Sequence, residues 1–191
     1  MNARRTLAAG LLALSLSTAC LPGEMGDMFE FALDWALSDD PGLRAAATAG
    51  AEVEADEVAR QFFAQGLETL DADAFRNAAT VRPADPRYWV YEGAIHTAVG
   101  RGEAGIQANQ RAIEALEALH PEAGEEEIRR RWAELYLEST RDLILNGGAG
   151  NPQQELRENY CTILTSEYPT IFGGSADAAV FLATADYSIC E

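Results

Sequence analysis

The sequence has 191 residues, enough for one ordinary domain, and is 48% apolar and 24% charged, a globular composition. Its 31 acidic residues face 14 basic ones, every one of them arginine, for a formal charge of −17. A chain without lysine holds no Walker-type phosphate loop, no Schiff base and no lysine general base, and an acidic excess of this size argues against nucleic acid and against charge-driven binding to anionic lipid.

In chain order, Arg4 and Arg5 precede an apolar run, Leu7 to Ala19, that is too short to span a membrane and has the form of a secretory signal. The run ends in Ser17-Thr18-Ala19-Cys20. This resembles a bacterial lipobox, with Ser17 where leucine is usual. The resemblance implies cleavage before Cys20, lipidation of Cys20 and a protein held on a membrane facing the periplasm. Leu21 in place of aspartate points to the outer membrane. The alternative is an ordinary signal peptide cut nearby. Residues 1–19 are then the signal, 20–27 a tether and 28–191 one helical domain. With Cys20 lipidated, Cys161 and Cys190 remain, an even number in an oxidising compartment, which suggests one disulfide. Two buried free thiols are the alternative.

The remainder reads as consecutive helices, and the class is all-α. Asp27 caps a nearly all-apolar helix, Met28 to Ser38, which is broken at Asp39-Asp40-Pro41-Gly42. Gly42 to Ala55 is Ala-rich and helix-tolerant, and a firm helix follows from Glu52 to Leu70. Asp71 caps a short helix through Val81. Asp85-Pro86 opens one that ends at Gly100, and the next spans Gly102 to Leu119. A long helix covers Glu125 to Leu145. Asn151-Pro152 opens another to Tyr168, ended by Pro169, and Ser175 caps the last, to Ser188.

Shifting the chain by thirty-four residues places Ala59 on Gly93, Phe62 on His96, Gly66 on Gly100, Ala78 on Ala112 and Ala79 on Ile113. The small residues mark close helix approaches, with Gly66 and Gly100 read as turns between paired helices. This resembles the tetratricopeptide repeat, a helix–turn–helix unit of the same length. Trp89, Gly93, Gly100, Ala112 and Ile113 match its pattern in one unit, and Ala59, Phe62, Gly66, Phe75, Ala78 and Pro83 in the other. Glu92 stands where leucine is usual, Gly105 where alanine is, and Asn109 where an aromatic is. The expected units are 52–83, 86–119 and a degenerate 124–169, with the helix at 175–188 as a cap. The resemblance implies a short right-handed superhelix of stacked helix pairs. Its concave face would be lined by the first helix of each pair, here Arg60, Phe63, Arg87, Val90 and Thr97, and would take a peptide or protein partner.

Candidate chemistry is sparse. His96 reads as a core or interface residue. Neither histidine, His96 or His120, has cysteine partners at zinc spacing. Phe172-Gly-Gly-Ser175 lacks the spacing of a nucleophile elbow, so Ser175 reads as a cap. Gly147-Gly148-Ala149-Gly150 reads as a flexible loop. Glu125-Glu126-Glu127 followed by Arg129-Arg130-Arg131 is expected to make three i, i+4 ion pairs on a solvated face. No catalytic residue, metal or cofactor is expected. The leading expectation is a non-enzymatic, membrane-anchored protein-binding adaptor. Leu37 to Ala45 faintly resembles the T-component lipoproteins of tripartite ATP-independent periplasmic transporters, which makes an accessory ligand-binding lipoprotein the second reading. A helical carboxylate hydrolase is the third.

Overall fold

A computed structural model describes residues 41–150 and 152–191. The signal, Cys20, the Met28–Ser38 helix and the Asn151 cap expected from the sequence lie outside the described residues. The chain divides into two units, Met1–Glu54 and Ala55–Glu191. Of the first, the described part is helical from Pro41. Every regular element among the described residues is helical, so the class is all-α.

Helix α1 runs Pro41–Thr69. The firm helix expected from Glu52 therefore begins a full eleven residues earlier, at a proline, which a first helical position tolerates, and continues through an alanine-rich stretch of high helix propensity. Gly66 does not form the turn. It lies inside α1, buried, with the Phe75 ring occupying the space a Cβ would need. The chain turns at Leu70, which takes a left-handed conformation (φ 53°) while its side chain stays in the core. Leu67 O at the end of α1 accepts the Gly148 N–H at 2.9 Å. A Cβ on Gly148 would strike the Glu68 carbonyl, and one on Gly147 the Leu70 side chain. The Gly147–Gly150 segment is thus packed against the end of α1 and satisfies one of its last carbonyls, rather than forming the free loop its composition suggested.

Local capping fixes the next helices. Asp71 accepts from Asp73 N and starts α2, Ala72–Val81. Asp85 accepts from Arg87 N and starts α3, Pro86–Ala98, with its proline in the first turn. Gly100 (φ 76°) makes the turn to α4, Gly102–Leu119. Helix α5, Glu125–Asn146, opens on three glutamates that complement the helix dipole.

The C-terminal third departs from the sequence reading. Helix α6, Gln153–Thr162, passes into a π-helical turn, Ile163–Glu167, and on into α7, Tyr168–Phe172. Pro169 therefore does not end the helix. It cannot donate, and its ring needs the space of a preceding carbonyl. The wider π turn ahead of it, in which Tyr168 N–H reaches Ile163 O, supplies that space. Ser175 caps α8, accepting from Ala178 N, but α8 spans only Ala176–Thr184. Beyond it Asp186 caps a separate 3₁₀ turn, Tyr187–Cys190, and accepts Tyr160 O–H on its backbone carbonyl at 3.0 Å. Cys161 and Cys190 are joined by a disulfide with Cα atoms 5.6 Å apart.

Helix α3 is the centre of the second unit and packs against α2, α4, α5 and α6. Small residues permit the approach. Gly93 of α3 faces the Asn109 side chain of α4, and Gly105 of α4 faces Thr97 of α3. The two departures at Gly105 and Asn109 are therefore one matched contact surface. Val90, Ala94, Ala112, Leu137, Leu143 and Leu156 form the buried centre. Tyr91 O–H donates to Asp142 on α5 at 2.6 Å, and burial together with this carboxylate pushes the phenol far above its ordinary value.

Candidate functional site

The five residues expected to line a concave face are distributed between surface and core. Val90 is completely buried and reaches no surface. Phe63 is half-buried, its ring 4.8 Å from Tyr91 and 5.7 Å from both Phe75 and Tyr88, centroid to centroid. It is an aromatic strut between α1, α2 and α3. Thr97 is exposed but on the opposite part of α3, donating to Gly93 O at 2.8 Å. Repeat register marks a helix face, and at Val90 that face is already covered by neighbouring helices.

Arg60 and Arg87 do meet, on the wall of an open cleft of about 960 Å³. The cleft runs between α1 and α5 across the α2–α3 turn and the end of α4. Its apolar lining is Val81, Pro83, Leu116, Leu119 and Leu135. Leu119 is 53% exposed there. Four of the fourteen arginines line it, Arg60, Arg82, Arg87 and Arg131, with Asp56, Asp85, Glu134 and Glu138.

Each of these arginines already has a carboxylate partner. Arg87 forks onto Asp85, with Nε 2.9 Å from Oδ1 and Nη2 2.6 Å from Oδ2, and this bond holds its guanidinium above the ordinary value. Arg60 pairs with Glu57 at 3.0 Å, Arg131 with Glu127 at 2.6 Å and Arg82 with Asp56. Glu134 accepts Arg130 at 2.7 Å and the Tyr168 hydroxyl at 2.6 Å. Glu138 is different. It makes no ion pair within the second unit, and Arg141, one turn on, is bonded to Asp186 instead. Partial burial and the Glu134 charge push its carboxyl above the usual carboxylate range.

A second polar cluster lies inside the packing of α2 on α3. Glu92 and His96 are 3% and 2% exposed. Arg76 of α2 reaches over both, with Nε 2.8 Å from Glu92 Oε1 and Nη2 2.9 Å from His96 Nε2. A guanidinium only donates, so His96 Nε2 accepts and the ring carries its proton on Nδ1. Glu92 Oε2 and His96 Nδ1 have no hydrogen-bond partner. The cluster ties α2 to α3. The sequence showed Glu92 as a departure from the repeat pattern, but its partner stands sixteen residues earlier and on another helix.

Among the described residues no group of three or more His, Cys, Asp and Glu is placed to hold a metal ion. No described helix is long and apolar enough to cross a membrane. Set beside known proteins, the chain matches no family model, no curated protein and no solved structure.

Proposed function

We propose that the protein is a non-enzymatic adaptor that binds a peptide or helix of a partner protein in the α1–α5 cleft. The observation that carries this reading is the cleft itself. It is an open surface with an exposed leucine and an apolar floor, rimmed by charges most of which already have an ion-pair partner. Such a surface suits side-chain docking. The α1/α2, α3/α4 and α5/α6 pairs are read as three tetratricopeptide-like units, whose curvature would leave a groove on this side.

A photo-crosslinking residue at position 119, introduced in cells that make the protein, is expected to trap one or a few discrete partners. The same residue at position 106 should not, since Ile106 is 69% exposed and lies outside the cleft. Equal products from both positions, or none from 119, would overturn the reading.

The same proposal places the adaptor on a membrane facing the periplasm, anchored through Cys20 and most simply in the outer membrane. Support comes from the apolar run and the small residues that lead to this cysteine. Growth with labelled palmitate should mark the wild type and leave Cys20→Ser unlabelled. Labelling of both alike would remove the anchor from the proposal.

A further inference from the structure

The cleft's charges are unevenly satisfied, and this says what it takes up. Each arginine on its wall already has a carboxylate. Arg87 in particular spends its Nε–Nη2 edge on Asp85, which neutralises its charge. Of the four acids, Asp56, Asp85 and Glu134 are bonded to Arg82, Arg87 and Arg130. Glu138 is the one with no ion pair among the described residues, since Arg141, the cation whose charge reaches it, is bonded to Asp186. It stands one helical turn from Glu134 on the same face of α5, next to Leu135. Two carboxylates at this spacing repel, and partial burial together with this repulsion, offset in part by the Arg141 charge, holds the Glu138 carboxyl above its usual range. A bound cation would remove that repulsion. The whole chain carries −17, so its long-range field also draws positive partners.

The rim restricts the mode of binding. The α2–α3 turn contains Pro83 and Pro86, which have no N–H, and Pro83 O already accepts Trp89 Nε1 at 3.0 Å. An incoming strand finds no ladder of free backbone groups there, so recognition falls to side chains.

We infer that the cleft receives a segment of a partner protein in which a lysine or arginine, set against Glu138, is flanked by apolar side chains that cover Leu119 and Leu135. This inference rests on the binding role proposed for the cleft and names its ligand chemistry.

The test is a random peptide library displayed and panned against the full chain purified in detergent, with enriched clones measured against three variants. Leu119→Glu blocks the apolar floor. Glu138→Gln removes the unpaired charge. Glu126→Gln removes an equal charge from an exposed position outside the cleft, and so reports non-specific attraction to an acidic protein. Circular dichroism checks that each variant keeps its helicity. The expected clones combine a basic residue with apolar neighbours, weaken tenfold or more with Glu138→Gln and with Leu119→Glu, and change less than twofold with Glu126→Gln. Clones that depend on Leu119 but lack basic residues, or that ignore Glu138→Gln, overturn the ligand assignment and leave the cleft as a binding site. Clones indifferent to Leu119→Glu, or equally weakened by both glutamine variants, overturn the assignment and the cleft together.

Discussion

Replacing Arg76 by methionine is expected to destabilise the protein by about 3 kcal/mol, a fall in melting temperature of roughly 6–12 °C for a chain of this size. The loss comes from Glu92 rather than from the arginine. Glu92 is 3% exposed, and Arg76 is the cation that neutralises it, at 2.8 Å. Removing one partner of a buried pair leaves the other charged and desolvated, which costs more than the pair itself contributes. Glu92→Leu should cost less, because Arg76 is half-exposed and still bonds Asp73 at 3.1 Å. The double variant places a leucine beneath an apolar neighbour and should recover most of the loss. Recovery stops short of complete, since His96 Nε2 also loses its donor. Thermal or urea unfolding of the four proteins of this cycle gives the coupling energy. Additive losses, or an Arg76→Met effect below about 1 kcal/mol, would show that Glu92 is satisfied by something other than Arg76.

Helix starts were legible in the sequence where a capping side chain sets them. Asp71, Asp85 and Ser175 cap where expected because a cap is a bond between residues two or three apart. Gly100 was legible for the same reason: it needs a positive φ. Apart from the early start of α1 at Pro41, a local signal passed over, the misreadings involve distant partners. Gly66 looked like a turn and is instead a seat for the Phe75 ring. Gly147 and Gly148 looked like slack and are instead where a loop meets the end of α1. Pro169 looked like a stop until the π turn before it made room.

The candidate site divides along the same line. Register found Arg60 and Arg87, which do line the cleft, but it also selected Val90 and Phe63, which are core. A repeat pattern says which face of a helix is conspicuous and not whether another helix covers it. Leu119, Leu135 and Glu138 went unmarked because they come from the end of α4 and the middle of α5, and only the fold brings them opposite Arg60 and the α2–α3 turn. What sets Glu138 apart is that its neighbours' charges are committed elsewhere, a property of the packed state alone.

The disulfide should have an effect as large as that of Arg76. The Cys161→Ser/Cys190→Ser variant is expected to lose about 3–4 kcal/mol, the chain-entropy value for a crosslink between cysteines 29 residues apart in sequence. The reason lies in what the bridge encloses. Helix α8 is short and strongly apolar, yet Ala178 is its one fully buried residue, and Val180 is 67% exposed. The 3₁₀ turn that follows adds Ile189 to the core and the bond from Tyr160 O–H to Asp186 O. Those contacts are few for the length of chain they must order, so the crosslink supplies much of the local stability. Hydrogen exchange on the variant should therefore rise first in 176–190 while α3 and α4 stay protected. Free-thiol counting on the denatured, unreduced wild type should find neither cysteine. If both thiols react there, or if the variant melts as the wild type does, the C-terminal segment is held by packing alone.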